Sequence, residues 1–311
     1  KIQNIIIISS GFKEAGNEKL ENEVKILLEK FKIKCIGVNA LGVYDSYSRL
    51  DTLFLPRYRL KRPKQGSIAF VSQSGSIGAA ILDYVTNNNY GISKFISYGN
   101  ATNTDESDIL EYLAEDKETK VICLYLQGLK DGQKFLKTAR KVSKLKPIIV
   151  LKGGVSQESK SATISHTASL AGELEVYYAA FKQCNVINAG NLQDMFNFAK
   201  ALEKTILFKG DRVQVITNGG GYGILSIDAI SKNNLKLSQL NNKTTTLLKK
   251  QLHILANISN PIDLAANATT QNYKVAIEAC LNDENVDVLL LNILYQIPLL
   301  EADIIDVITE L

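Results

Sequence analysis

The chain has 311 residues, 45% of them apolar and 22% charged, with a formal net charge of +4. That length suits about two domains and that composition a soluble globular protein; acids and bases are mixed along the chain, so no nucleic-acid partner is implied. No apolar run approaches the ~18 residues a membrane span needs, and no signal peptide is visible, so a cytoplasmic protein without a membrane partner is expected.

In chain order, short apolar runs ending in Gly, Ser or Asn alternate with helical stretches. Strands are predicted at 4–9 (NIIIIS), 33–38, 67–73, 94–98, 121–126, 147–151, 212–217 and 286–294. Helices are predicted at 108–115, 133–144, 175–184 and 192–204, where apolar residues recur at helical spacing. Continuous apolar strands between amphipathic helices predict α/β domains with parallel sheets covered on both faces. Such sheets hold their ligands at the carboxyl ends of the strands. Cys35, Cys123, Cys184 and Cys280 lie far apart in apolar stretches, with no CxxC or Cys/His pair. They read as buried reduced thiols, and no metal site is expected. The opening residue is Lys1, directly inside an apolar run, and a cut chain is expected.

Two strand ends repeat each other. "SIAFVSQSGSIGAAILDYV" (67–85) and "RVQVITNGGGYGILSIDAI" (212–230) align without a gap, 145 residues apart. Ser72 matches Thr217, Gln73 matches Asn218, Gly75 matches Gly220 and Gly78 matches Gly223. "EYLAEDKETKVICLYL" (111–126) is echoed more loosely by "EACLNDENVDVLLLNI" (278–293). Two related domains in tandem are expected, with a boundary near Lys209-Gly210. Each copy puts a glycine-rich turn between a strand and a helix. Such a turn can simply fit helix to sheet, or it can present free N–H groups and the positive helix end to an anion. The duplication, with Ser/Gln or Thr/Asn before the glycines, favours a shared anion.

His166 sits in "SATISHTASLAG" (161–172), among alternating hydroxyl residues. An alternating strand would place it on one face with Ala162, Ile164, Ala168 and Leu170, as packing. Yet the segment follows a predicted strand and Gly153-Gly154, at the end where ligand loops gather. A neutral imidazole there could accept a phosphoryl group. Periodicity alone leaves both roles open. His253 is given none.

The motifs together resemble the ADP-forming (NDP-forming) acyl-CoA synthetases, relatives of succinyl-CoA synthetase, along essentially the whole chain. "SQSGSIGAAILDY", "GISKFISYGN", "SHTASLAG", "AAFKQCNVI", "VITNGGGYGILSIDA" and "NPIDL" carry the resemblance. It implies a partial Rossmann CoA-binding segment (1–56), a basic linker (57–65) and two flavodoxin-like parallel α/β domains. These span 66–208, with the phosphohistidine loop, and 209–311, which stops short of the family's last strand. By resemblance, His166 is the phosphocarrier. Two helices starting at Ser74, Gly75 and Ser76 and at Gly219, Gly220 and Gly221 point at its phosphate. Asn39, Gly42, Gly99 and Asn100 match loops near CoA and the acyl group. The implied reaction is acyl-CoA + ADP + phosphate ⇌ carboxylic acid + CoA + ATP. CoA or acyl-CoA and phosphate bind here, while ADP or ATP with Mg²⁺ binds an ATP-grasp domain or subunit outside these residues. A homo- or hetero-oligomer is expected.

The departures from the family pattern are specific. The first half of the Rossmann domain is expected to be missing. Val38 replaces a proline, Asn103 an aspartate and Ala168 a glycine. Gln127 stands where the family has a glutamate facing the histidine, which keeps a hydrogen bond but no charge. Natural tuning, an engineered trap and loss of activity all remain open for it. The competing function is a non-catalytic acyl-CoA-sensing module of a lysine acetyltransferase-type protein. The cations of "RYRLKRPK" (57–64) read either as a solvated linker or as an attractor for CoA phosphates.

Overall fold

The computed structural model describes residues 2–154, 174–204 and 209–310. The chain divides into two compact units, Lys1–Thr205 and Ile206–Leu311. The first opens with a β–α–β turn: β1 (Asn4–Ile7), α1 (Glu18–Lys30) and β2 (Lys34–Gly37), the strands pairing in parallel from Asn4↔Lys34. A six-stranded sheet follows, built from β3 (Gly42–Asp45), β4 (Lys64–Ser72), β5 (Gly91–Ser97), β6 (Val121–Leu126), β7 (Ile148–Lys152) and β8 (Ile187–Ala189). Its order is β3-β5-β4-β6-β7-β8, and only the β3–β5 pair is antiparallel.

Why this sheet is covered on both sides can be read from its strands. In β4, Ala69 and Val71 belong to one apolar cluster, and Ile68 and Phe70 to the other; β6 and β7 alternate in the same way. Helices α3 (Glu106–Glu115), α4 (Gly132–Val142) and α5 (Leu174–Gln183) cover the first face through Ile109, Leu113, Phe135, Val142 and Phe181. Helices α2 (Gly75–Asn87) and α6 (Leu192–Lys204) cover the second through Ile81, Leu82, Val85, Met195 and Phe196. From β4 the chain winds through α2 to β5, then crosses back through α3 to β6 on the other edge. The winding therefore reverses at the carboxyl end of β4, where doubly wound sheets open a crevice.

The second unit repeats the plan in brief. Its centre is β9 (Arg212–Thr217), which pairs with β13 (Val288–Asn292) from Val213 to Thr217. At its start it pairs with β10 (Lys236–Leu237), and at its end with β12 (Ile262–Asp263). β11 (Asn257–Ile258) adds antiparallel to β12. Helices α7 (Gly220–Lys232), α8 (Asn242–Gln251), α9 (Thr270–Leu281) and α10 (Ile304–Glu310) complete it. A fork of Arg212 on Asp287, 2.7 and 2.8 Å, ties the start of β9 to that of β13. Among the described residues no helix is long and apolar enough to cross a membrane, and no cluster of three His, Cys, Asp or Glu side chains could hold a metal. The four cysteines are buried and free, and burial raises their thiols, that of Cys35 to about 11.

The predicted runs 121–126 and 212–217 coincide with β6 and β9. The short strands β3, β8, β10, β11 and β12 are not among the predicted runs: none carries the apolar run that marks β1 and β2, which are as short as β3.

Glu106 opens α3 but is 3% exposed, a costly place for a carboxylate. Burial pushes its carboxyl from 4.5 to about 7, against a bond from its own backbone N–H, and the Asp105 charge adds to the rise. The native state thus keeps a proton that the unfolded chain releases, so stability is lost as pH rises from 4.5 through 7. Glu106→Gln removes that loss. Denaturant titrations should show the variant gaining roughly 3 kcal/mol over the parent at pH 8 relative to pH 4. A pH-independent difference would show that Glu106 ionises freely in the fold.

Candidate functional site

The crevice at the end of β4 is a cavity of about 850 Å³ within the first unit. Among the sequence-predicted residues, Asn39, Ser74, Gly75, Ser76, Gly99, Asn100 and Gln127 all line it. Gly42 does not: it begins β3 at φ +121°, and a Cβ there would lie 2.6 Å from the Thr52 carbonyl oxygen. Its glycine is a packing requirement. Gly219, Gly220 and Gly221 start α7 in the second unit, and His166 lies outside the described residues.

The helix start is built locally. Ser74 is extended at φ −100°, ψ 129°, and its Oγ caps α2 by accepting from the Ile77 N–H at 3.4 Å. The first-turn residues Gly75 and Ser76 face the cavity, where the N–H groups of a helix start lack intrahelical acceptors. Gly75 and Gly78 are glycines for different reasons. A Cβ on Gly78 would meet the Phe95 ring at 2.6 Å, so α2 must be bare there to lie on the sheet. A Cβ on Gly75 would meet only Leu41, at 3.7 Å. Packing therefore does not require a glycine at 75.

The residues before the glycines turn out to be braces. Ser72 Oγ donates to the Ser74 carbonyl at 2.7 Å, and Gln73 Oε1 accepts from the N–H groups of Gln127 at 2.7 Å and Gly128 at 3.0 Å. In the second unit Thr217 Oγ1 lies 3.0 Å from the Gly219 carbonyl, and Asn218 Oδ1 accepts from the Leu294 N–H at 2.7 Å. Ser72 pairs with Tyr125 and Thr217 with Asn292, so Gln127 and Leu294 each follow the paired residue by two positions. The polar pairs that favoured a shared anion in the sequence are thus taken up inside each unit. The anion reading now rests on Gly75 and the amides beside it.

Asn39 and Asn100, both named from the sequence, join in a cluster with Glu14 and Glu21 that the sequence did not disclose. Asn39, at φ +56°, donates through Nδ2 to Asn100 Oδ1 at 3.3 Å. Asn100 Nδ2 donates to Glu14 Oε2 at 2.5 Å and to Glu21 Oε2 at 2.9 Å. Burial alone would raise the Glu14 carboxyl, but bonds from Asn100 and the Gly11 and Phe12 amides outweigh it and hold it below the usual range. Lys130 lines the cavity too, donating to the Ala101 carbonyl at 2.8 Å, with Glu21 at 3.9 Å. Burial lowers its ammonium from the ordinary lysine range, offset in part by Glu21. Gln127 presents its carbonyl to Lys152 at 2.7 Å.

Other sequence features find structural roles. Asn103 Oδ1 accepts from the Cys35 N–H at 2.9 Å while its Nδ2 donates to the Ile33 carbonyl at 2.8 Å, which an aspartate could not do. In the basic stretch, Arg62 is taken up by Asp51 at 2.9 Å and the Leu55 carbonyl at 2.8 Å. His253 is exposed and accepts the Leu255 N–H.

A doubly wound α/β unit with a glycine-rich helix start at its winding reversal, followed by a second unit with the same strand–turn–helix, defines the class: succinyl-CoA-ligase-like α/β proteins. Residues 65–202 match the succinyl-CoA ligase like flavodoxin domain, and residues 213–308 the Ligase-CoA domain. The chain is 40% identical over 291 residues to the alpha subunit of ADP-forming acetate–CoA ligase II of Pyrococcus furiosus, covering 93% of this chain and 62% of that one. It is 39% identical to ADP-forming acetate–CoA ligase I of Archaeoglobus fulgidus, covering 93% and 42%. The dinucleotide-forming acetyl-coenzyme A synthetase 1 of Ca. Korarchaeum cryptofilum, solved with phosphate and ADP, superimposes with a TM-score of 0.90 at 35% identity, covering 99% and 67%. The chain belongs to the ADP-forming acyl-CoA synthetases, relatives of succinyl-CoA synthetase. It spans less than two thirds of the length of these curated relatives.

The contrast between the two glycines can be measured. Gly78→Ala should destabilise the first unit by roughly 1–3 kcal/mol through overpacking against Phe95. Gly75→Ala should fold as well as the parent but lose most of the rise in melting temperature that inorganic phosphate gives the parent. Equal phosphate stabilisation of Gly75→Ala and parent would return Gly75 to a turn residue.

Proposed function

We propose that this chain is the acyl- and phosphate-handling part of an acid–thiol ligase, acyl-CoA + ADP + phosphate ⇌ carboxylic acid + CoA + ATP. The observation that carries the reading is one cavity lined at once by the α2 start, the Asn39 and Gly99-Asn100 loops, and Gln127. In it, phosphate held at Gly75 and Ser76 attacks the thioester carbonyl; the C–S bond breaks and CoA leaves as thiolate. The acyl phosphate then gives its phosphoryl group to the imidazole of His166, and the carboxylate departs. Phosphohistidine passes the group to ADP, held with Mg²⁺ on an ATP-grasp domain or partner subunit. Helix-end amides suit both steps, because phosphoryl transfer needs charge stabilisation and positioning more than covalent help.

In this reading residues 1–56 are the later half of a CoA-binding Rossmann domain, 57–65 a basic linker, 66–208 the phosphohistidine domain and 209–311 a second ligase domain. The assembled enzyme is an oligomer acting in the cytoplasm. The ligase names of the relatives support catalysis over an acyl-CoA sensor. Gln127 stands where the resemblance puts an acid facing the phosphohistidine; a glutamine there keeps a hydrogen bond and brings no charge.

The test is phosphoryl transfer itself. The full-length protein with its nucleotide-binding partner should take label from γ-labelled ATP in an acid-labile, base-stable bond, as an N–P bond is. His166→Ala should abolish the label and His253→Ala leave it. Gln127→Glu should raise the transfer rate roughly tenfold or more, the value of a charge-assisted hydrogen bond of about 1.5–3 kcal/mol. Base-labile label that survives in His166→Ala would refute the phosphocarrier.

A further inference from the structure

We infer that Glu14 and Glu21 are positioning residues that act through Asn100 to fix Asn39 as a hydrogen-bond donor to the oxygen of the acyl group. The inference rests on the ligase reading above and adds to it two residues outside the family motifs.

The argument is an inventory of donors and acceptors. A carboxamide has two N–H donors and one carbonyl acceptor, and in isolation either end can face a given neighbour. Asn100 has no such freedom. Both Nδ2 hydrogens point at carboxylate oxygens, Glu14 Oε2 at 2.5 Å and Glu21 Oε2 at 2.9 Å. Its Oδ1 must therefore face Asn39, and it accepts from Asn39 Nδ2 at 3.3 Å. That bond uses one Nδ2 hydrogen of Asn39 and leaves the second for the cavity that Asn39 lines. The main chain of Asn39 is held as well: its N–H donates to the Ser9 carbonyl at 2.9 Å, and its φ of +56° is one that asparagine tolerates.

Two nearby carboxylates on one amide are an unusual arrangement for packing alone, since like charges repel. Each is anchored elsewhere. Glu14 Oε1 accepts from the Gly11 N–H at 2.6 Å and the Phe12 N–H at 3.2 Å, while Glu21 Oε2 also accepts from the Lys13 N–H at 3.2 Å. The anchoring decides what a substitution does. In Glu14→Gln the amide oxygen stays on the two backbone donors, so the new NH₂ faces the NH₂ of Asn100. Donor meets donor on one side while Glu21 still takes Asn100 Nδ2 on the other, so neither orientation of Asn100 satisfies every neighbour and its hold on Asn39 loosens while the backbone bonds remain.

The experiment measures ATP formation by the full-length protein with its nucleotide-binding partner, varying acetyl-CoA and ADP separately. Glu14→Gln should lower kcat/KM for acetyl-CoA roughly tenfold with the KM for ADP within about twofold of the parent. Asn39→Gly, compatible with the positive φ, should lose a similar factor. The double variant Glu14→Gln/Asn39→Gly should be no worse than Asn39→Gly alone, because the carboxylate acts through the amide. Glu21→Ala, which takes away the other acceptor of Asn100 Nδ2, supplies a second route should Glu14→Gln fold poorly; Glu23→Gln, exposed on the same helix, should match the parent. Additive losses in the double variant, an equal effect on ADP, or no loss at all would overturn the relay and leave the ligase reading standing. A parent that forms no ATP would sink the ligase reading, and the relay with it.

Discussion

The carboxamide of Gln73 closes the carboxyl end of β4 onto the loop that leaves β6, by taking two consecutive backbone N–H groups onto one oxygen. Much of the first unit's cavity depends on that closure. It sets where α2 begins relative to Gln127, and so sets the gap a ligand must fill between a helix start and the neighbouring loop. Those two amides would otherwise need water, and loop backbone left unsatisfied in a crevice does not keep one shape. Asn218 does the same work in the second unit with a single bond from Leu294 and a return bond to its carbonyl. The shorter side chain reaches one amide where the longer one reaches two.

The electrostatics around this closure are lopsided in a useful way. On the β1 side, Glu14 and Glu21 are committed to backbone amides and to Asn100. On the other, the α2 start faces the same cavity. Acids placed behind amides turn those amides outward as donors, so their negative charge reaches a ligand only indirectly. A wall made directly of carboxylates would repel phosphate; a wall of donors backed by carboxylates need not. Elsewhere in this unit the same economy serves packing: Lys94, 5% exposed, lies between Asp116 at 2.9 Å and Asp45 at 3.5 Å.

The sequence disclosed the doubly wound plan because its longer strands are apolar on both faces, and β6 and β9 could be bounded from that alone. The duplication also showed, since Ser72-Gln73 and Thr217-Asn218 fill equivalent places. Their task did not show: a polar residue before a glycine turn looks the same whether it faces a ligand or a neighbouring loop. Only the pairing of Ser72 with Tyr125, and of Thr217 with Asn292, reveals the partner. Gly42 and Gly75 posed the same difficulty in reverse. Both are glycines in ligand-type loops, yet one is filled by a backbone carbonyl and the other is open. The Glu14–Asn100 contact was out of reach for another reason, because it joins residues 86 positions apart with no periodicity to connect them.

The equivalence of Gln127 and Leu294 bears on how such a protein can diversify. Both positions offer a main-chain N–H to the brace, and that bond is indifferent to the side chain. One copy carries an amide there, the other a hydrocarbon. The brace therefore asks nothing of the side chain at these two positions. The residue there can be exchanged by a single codon while the main-chain bond that holds the loop stays constant.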